Sequence, residues 1–362
     1  MKLARWSLHF YRLPYKREVT WAYASESASD YALVMLTADN GAVGIAEGVV
    51  KASRTGFSPR SLAAALEDVL VPLIRNTDLA DPDAVAIALG KVPENGTAKA
   101  LVDNACWTLR AMAAGKPLWK LRGGTPGLEL SWIVTRQTPA RMAAEAAAMR
   151  ERHGFRCLKV KGGQGRETDL RVLAEVRAAV GPEVELSMDA NGAYPREGIA
   201  SYVRAIADAG VSVAEDPCEL PPDRALETLQ RECALPLLVD FGCTSAQDAR
   251  LYLERGAQAL MIKPGRVGLS QACEIDAAAA RCGARVSLGM YYESALGTQI
   301  APQIATRLAS PQILPPEHSF FLMLAAQVSK LVPAVRDGTL QLSDEADLSS
   351  LIDWDAVKRY AL

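Results

Sequence analysis

The sequence predicts an α/β protein in which a parallel β/α barrel follows an α+β segment. Short apolar runs alternate with helical stretches from Leu130 to Leu314, eight such runs fit into about 190 residues, and six consecutive runs end in charged side chains. Alternating strands and helices imply parallel pairing, because a parallel connection needs a crossover. Eight strands favour closure into a barrel, with an open doubly wound sheet as the alternative before the polar residues are weighed.

At 362 residues the chain is long enough for two domains, and 49% hydrophobic with 23% charged residues suits a globular protein with a large core. Lys and Arg number 40 against 42 Asp and Glu, so the net charge of -2 offers neither a nucleic-acid footprint nor a polybasic membrane signal. Met1 to Glu18 holds no apolar signal core, and no run of about 18 apolar residues could span a bilayer. The seven cysteines lack tight paired spacing and read as reduced, mostly buried residues of a cytoplasmic protein. With only His9, His153 and His318 available, a metal site must be built mainly from carboxylates.

In the first segment, Leu3 to Leu13 mixes apolar and polar residues like a half-buried strand, and Tyr31 to Thr37 is rich in β formers. Asp39-Asn40-Gly41 is a turn, with Ala42 to Ala46 as the return strand. Leu62, Leu66, Val69, Leu70 and Leu73 fall on one face of a helix over Ser61 to Asn76; Leu101, Ala105, Leu109 and Met112 do so over Ala98 to Ala114. Gly123-Gly124-Thr125-Pro126-Gly127 is the densest cluster of breakers and marks a boundary. The organisation expected is residues 1–123, a barrel over 124–324, and a tail over 325–362 that leaves the barrel and returns to the first domain.

The barrel runs and their helices follow in order: Leu130 to Val134 then Ala140 to Arg152, Leu158 to Lys161 then Asp169 to Val180, Val184 to Ala190 then Arg196 to Ala209, and Val211 to Asp216 then Asp223 to Arg231. Next come Leu237 to Asp240 with Ser245 to Arg255, Ala259 to Lys263 with Leu269 to Cys282, Arg285 to Leu288 with Ser294 to Leu308, and a closing run at Gln312 to Leu314. From the second run to the seventh, Lys161, Asp189, Glu215, Asp240, Lys263 and Glu293 recur every 23 to 30 residues, about one βα unit. In a parallel barrel those strand ends converge on one mouth, where catalytic groups are expected.

Charge gathered there is costly unless it pairs or binds a metal. Asp189, Glu215 and Asp240 come from three neighbouring strands, and a hard divalent cation removes their repulsion. All-oxygen ligands point to Mg²⁺, with Mn²⁺ as the alternative. Taken singly, each acid could instead cap a helix or pair with a lysine. Lys159 and Lys161 are two apart on a strand and point to one side, and Lys263 lies across the mouth. A neighbouring ammonium and a cation would both disfavour protonation of Lys161 and prepare it as a base. The combination reads as removal of the proton alpha to a carboxylate, the charge of the resulting enediolate being stabilised electrostatically, with a second lysine on the opposite face.

Together with Ala105-Cys106-Trp107-Thr108-Leu109, Gly115-Lys116-Pro117-Leu118 and Gly123-Gly124, this pattern resembles the enolase superfamily, in the muconate-lactonizing-enzyme-like subgroup of the mandelate racemase and muconate lactonizing proteins. The resemblance implies a modified TIM barrel, (β/α)7β, under an α+β capping domain. It implies Asp189, Glu215 and Asp240 as metal ligands and Lys161 and Lys263 as the acid/base pair. Lys159 would bind the substrate carboxylate and tune Lys161, Asn191 would hydrogen-bond near the metal, and Glu293 would support the substrate. His318, near the last strand, is a further substrate contact. The cap would supply specificity from a flexible loop at Tyr15 to Asp30, with Trp21, and from Lys51 to Pro59. Phe241 departs from the family's usual second acid after the third ligand, and Pro315-Pro316-Glu317-His318 from the acids that grip a substrate ammonium.

The expected function is therefore Mg²⁺-dependent isomerisation of a small carboxylic acid: racemisation, epimerisation or cycloisomerisation. The alternatives are a hydro-lyase using the same site, a Schiff-base aldolase, and a non-catalytic metal-binding protein. The expected partner is a small-molecule carboxylate, with no nucleic acid and no membrane, and the family suggests a homo-oligomer.

Overall fold

The computed structural model describes every residue from Met1 to Leu362. The chain opens with an antiparallel sheet of β1 (Leu3–Thr20), β2 (Ser25–Ala38) and β3 (Val43–Val50), with β2 in the centre. Tyr31, Leu33 and Ile45 face the large core beneath, while Ala32, Val34 and Leu36 face a helical layer above, which is the two-residue period of a sheet covered on both sides. The helix Gly96–Ala113 lies directly on β3, where a Cβ on Gly44 would stand 2.0 Å from the carbonyl oxygen of Ala105. Thr108 Oγ1 accepts from the Ile45 amide at 2.7 Å and donates to the Ile45 carbonyl at 2.8 Å, which fixes the helix on the strand.

The stretch Tyr15 to Asp30, expected to be a loop, is mostly strand. β1 and β2 continue paired to Thr20↔Ser25, leaving Trp21–Ala24 as the turn. A register shift between Pro14 and Val19 breaks the alternation that the sequence pattern would have needed to reveal it. The following helix also departs from expectation. It passes through a π segment, Ala65–Leu70, just before Pro72, whose missing N–H breaks the regular ladder. The apolar face is thereby shifted: Leu62, Leu66, Leu70 and Ile74 are buried and Val69 is exposed.

After β4 (Gly127–Glu129), seven parallel strands form one curled sheet: β5 (Trp132–Val134), β6 (Cys157–Lys161), β7 (Glu185–Asp189), β8 (Val211–Glu215), β9 (Leu237–Val239), β10 (Ala259–Ile262) and β11 (Arg285–Leu288). Residues 311–317 join its two edges. Ile313 donates to Val286 and Glu317 to Leu288 on β11, and Ser131, just before β5, donates to Pro316. Pro315 and Pro316 have no N–H, so this eighth run contributes only an isolated bridge, Val286↔Gln312, and not a full strand.

The expected helix over Ser294 to Leu308 is two short 3₁₀ segments, Gly297–Gln299 and Ala301–Thr306, interrupted at Ile300. In Pro264–Arg281 the helix is broken at Gly268, where φ is +80° and a Cβ would meet the Asp103 carboxylate. β13 (Thr339–Gln341) pairs with β4 on one edge and with β12 (Val335–Arg336) on the other, and the last residues reach β1, with Leu362 donating to Phe10. All seven cysteines are free, four of them buried. No helix is long and apolar enough to cross a membrane.

Candidate active site

Parallel register sets the site. Lys161 on β6 lies opposite Asp189 on β7, and Asp189 lies opposite Glu215 on β8. Glu215 pairs with Leu238 on β9, and Asp240 follows two residues later. The strand ends surround a cavity of about 210 Å³ lined by Lys159, Lys161, Asn191, Asp240, Lys263 and Glu317 from the barrel, with Trp21 and Arg54 from the cap. Ile133, Phe241, Thr244, Arg266 and Met290 to Tyr292 complete its wall.

The two lysines of β6 point the same way, as their spacing requires. Lys159, 2% exposed, donates to Glu215 at 2.6 Å and Glu317 at 2.8 Å, with Asp189 at 3.0 Å. Lys161 donates to Asp189 and, at 3.4 Å, to the side-chain oxygen of Asn191. Across the cavity, Lys263 bonds Asp240 at 2.5 Å. Its stem fits because residue 289 is glycine: a Cβ there would lie 2.5 Å from Lys263 Cε.

Burial lowers the Lys161 amine below the usual lysine range, with the Lys159 ammonium adding to the effect against the pull of Asp189. Burial acts on Lys159 too, but Asp189, Glu215 and Glu317 outweigh it and hold it protonated. Burial and the Asp189 charge push Glu215 up. For Asp240 burial is outweighed by Lys263 and Arg266, which keep it ionised.

The three strand-end acids are not gathered into a closed metal cage, since no trio of acidic, His or Cys side chains is spaced for one. Ammonium groups stand between them. Nevertheless Glu215 Oε2 and Asp240 Oδ1 are buried without a hydrogen-bond donor, although Arg266 lies 3.2 Å from the latter. Hard oxygen donors on three adjacent strands, two of them unsatisfied, are the chemistry that a divalent cation of the magnesium type fits.

The remaining expected residues fall into two groups. Trp21 and Asn191 line the cavity, the Asn191 amide donating to Asp189 Oδ1 at 2.8 Å. Glu293 and His318 are buried behind the wall, 3.9 Å apart. Glu293 accepts from the Tyr291 amide at 2.7 Å, and burial raises its carboxyl to about 7. Neither ring nitrogen of His318 has a partner, and burial next to Lys263 drops it to about 3.

Two side chains, Asp216 and Arg266, were missed, and a third, Glu317, was read only as an acid that could take the place of those gripping a substrate ammonium. Asp216, at φ +35°, accepts the amides of Asp240 (3.2 Å) and Phe241 (2.8 Å) and so shapes the end of β9. Arg266 donates to the carbonyls of Asp240 and Cys243 at 3.0 and 2.6 Å. Glu317 accepts from Lys159 at 2.8 Å and from the Met290 amide at 3.3 Å, one bond on each oxygen. The adjacent acids Glu215-Asp216 and an arginine one helical turn beyond Lys263 were the available signals.

Two family models match the chain. The mandelate racemase / muconate lactonizing enzyme N-terminal domain covers residues 10–123, and the enolase C-terminal domain-like model covers 141–356. An L-Ala-D/L-Glu epimerase of Bacillus subtilis is 31% identical over 300 residues, 81% of this chain and 80% of the relative. A chloromuconate cycloisomerase of Cupriavidus necator is 26% identical over 318 residues, 86% of each chain. The dipeptide epimerase from Enterococcus faecalis, solved with Mg and L-Leu-L-Tyr, superposes with a TM-score of 0.88 at 23% identity, covering 96% of this chain and 99% of that one.

Proposed function

The chain belongs to the mandelate racemase / muconate lactonizing enzyme family of the enolase superfamily and is an isomerase of that kind, and on this premise we propose that Lys161 and Lys263 move the proton alpha to the carboxylate of a small acid. The observation that carries the reading is that these two amines reach one small cavity from opposite walls, each held by a carboxylate of the neighbouring strand. A base on each side of the substrate carbon allows removal on one face and return on the other, which is what racemisation or epimerisation requires. If the substrate carries an internal double bond instead, one amine suffices to complete ring closure or opening.

Asp189, Glu215 and Asp240 would hold the divalent cation, Mg²⁺ in this reading. When bound, it supplies positive charge for the carboxylate oxygens as the alpha proton leaves. The chain's own groups do the rest. Lys159, kept cationic by three acids, faces the substrate carboxylate; its charge and the burial of Lys161 favour a neutral amine at Lys161. Asn191 orients Lys161, Glu293 supports the wall beside Lys263, and Trp21 closes the cavity against water. His318 serves this wall from behind. Residues 1–123 act as the cap, 124–324 as the catalytic barrel and 325–362 as the segment tying the two together.

The experiment is a library of carboxylic acids incubated with enzyme and Mg²⁺ in deuterated water and read by mass. A shift of one deuterium at the alpha carbon of one acid class is expected, and loss of water in place of label would make the enzyme a hydro-lyase. No shift in any acid that binds would end this reading.

A further inference from the structure

The two working amines are fixed in different ways. Lys161 is a paired strand residue, opposite Asp189 in the ladder between β6 and β7. Lys263 stands one residue past the last pair of β10, Ile262↔Leu288, and opens the turn that runs into the helix Pro264–Arg281. Sheet pairing sets the backbone of Lys161, whereas the turn from Lys263 to Gly268 sets that of Lys263.

That turn closes on the Lys263 carbonyl, which accepts the amides of Arg266 at 2.8 Å and Val267 at 3.0 Å. At Gly268 the helix breaks, and it resumes at Leu269. A break leaves amides and carbonyls on its two sides in need of partners outside the helix. On the barrel side, Arg266 ties the turn to the carbonyls of Asp240 and Cys243.

The other anchor comes from the cap. Asn104, on the helix Gly96–Ala113, spans the break. Its amide nitrogen donates to the Pro264 carbonyl at 3.2 Å, and its side-chain oxygen accepts the Leu269 amide at 2.9 Å. Beside it, Asp103 accepts the Ser270 amide at 2.8 Å and the Ser270 hydroxyl at 2.6 Å, and Trp107 donates to that hydroxyl at 2.9 Å. Asp103 and Trp107 thus hold only the far side of the break, while Asn104 also holds Pro264, the residue next to Lys263. A carbonyl and an amide together demand a donor and an acceptor from one side chain, which the carboxamide supplies and neither leucine nor ionised aspartate does. Asn104 is 3% exposed, so solvent does not take over these bonds when they are lost.

We propose that Asn104 is a positioning residue for Lys263, so that the cap, through one side chain, sets the geometry on one face of the reacting carbon and not on the other. This rests on the reading of Lys161 and Lys263 as the amines that move the alpha proton. A shift of about 1 Å in a base costs on the order of a hundredfold in rate. Lys161 is protected from such a shift by its own ladder, and Lys263 depends on the braced turn.

The test compares Asn104→Leu, which keeps the volume and removes both bonds, with Asn104→Asp, which keeps only the acceptor for Leu269. The first readout is alpha-proton exchange, with Mg²⁺ present, of each enantiomer of the acid that the deuterium screen labels; Lys263→Ala marks the enantiomer that Lys263 serves. In Asn104→Leu that exchange is expected to fall by about tenfold or more, while the exchange served by Lys161 stays within about twofold, and Asn104→Asp should fall in between. A loss equal on both faces, or no loss, overturns the proposal. The second readout needs no turnover: labelling by a trace of acetic anhydride, followed for each lysine by peptide mass. Lys263 should label about threefold or more faster in Asn104→Leu, with Lys161 unchanged; an unchanged Lys263, or an equal change at both, overturns the proposal as well. If Asn104→Leu does not fold, Asn104→Asp carries both readouts. Where no acid exchanges its alpha proton, selective labelling of Lys263 still supports the brace, and the isomerase reading alone fails.

Discussion

Lys161 and Asp189 face each other in register on β6 and β7, and the ammonium of one is hydrogen-bonded to the carboxylate of the other. The same carboxylate lies 3.0 Å from Lys159. One acid oxygen is therefore contested by two amines, and only one of them has other acid partners: Lys159 is held by Glu215 and Glu317 as well, whereas the other contact of Lys161 is the Asn191 side-chain oxygen. Any cation that takes over Asp189 frees Lys161 and leaves Lys159 anchored. The two lysines, identical in type and two residues apart, are thereby given different tasks.

Removing either working amine should make the chemistry one-sided. Lys161→Ala and Lys263→Ala are each expected to lower alpha-proton exchange of one enantiomer by about a hundredfold or more, the range of a lost general base, while the other enantiomer still exchanges through the remaining lysine. Proton NMR in deuterated water, run on each enantiomer separately, reads this. Undiminished exchange of both enantiomers in either variant would refute the two-base assignment.

Asp240 is the acid whose ionised form the protein favours most visibly on the Lys263 side, with one buried oxygen lacking a hydrogen-bond donor. Asp240→Asn keeps the shape and removes the charge. It should weaken Mg²⁺ binding by roughly tenfold or more, seen in a calorimetric titration. An unchanged titration would take Asp240 out of the ligand set.

The site was legible in the sequence where it obeyed the barrel's period. Lys161, Asp189, Glu215, Asp240 and Lys263 each close a βα unit, so spacing alone placed them on one rim, whereas Glu293 shares the spacing and is buried behind the wall. The pairing of Glu317 with Lys159 was not foreseen, because Glu317 follows two prolines on a run without a ladder and Lys159 is distant in sequence. Arg266 and Asp216 act through backbone carbonyls and amides, which leave no pattern to read. The hairpin tip at Trp21 was hidden by the register shift in β1, and Val69 was misplaced by the π segment. In each case a local irregularity broke the periodicity from which a face is inferred.

Lys159 pairs with three buried acids at once, so its removal should be costly in a way that a cation can repair. Lys159→Met leaves Asp189, Glu215 and Glu317 without that ammonium and should destabilise the fold by about 3–5 kcal/mol, the usual result of breaking a buried ion pair. Saturating Mg²⁺ should recover part of this loss, because a ligand that binds only the folded state stabilises it by mass action. Urea denaturation with and without Mg²⁺ measures both. A loss that Mg²⁺ does not reduce would mean that the acids around Lys159 do not share the cation.

His318 gives a pH signature of its own. Burial and the nearby Lys263 lower it from 6.5 to about 3, so the folded protein keeps the ring neutral while the unfolded chain protonates it near 6.5. Between those values the unfolded state binds one more proton at this position, and its contribution to stability rises with pH. It is fully present above about 6.5 and is lost as pH falls toward about 3, with a limiting slope of about 1.4 kcal/mol per pH unit. Glu293, 3.9 Å away and raised to about 7, is mostly neutral through that window and cannot compensate by pairing with the ring. His318→Gln should therefore flatten the loss of urea stability between pH 6 and pH 4 by close to one proton's worth, roughly 1.4 kcal/mol per unit. The pH dependence of kcat near neutrality should not shift, because a ring that stays neutral exchanges no proton there. An acid limb that moves with this substitution would show that His318 titrates in the working enzyme.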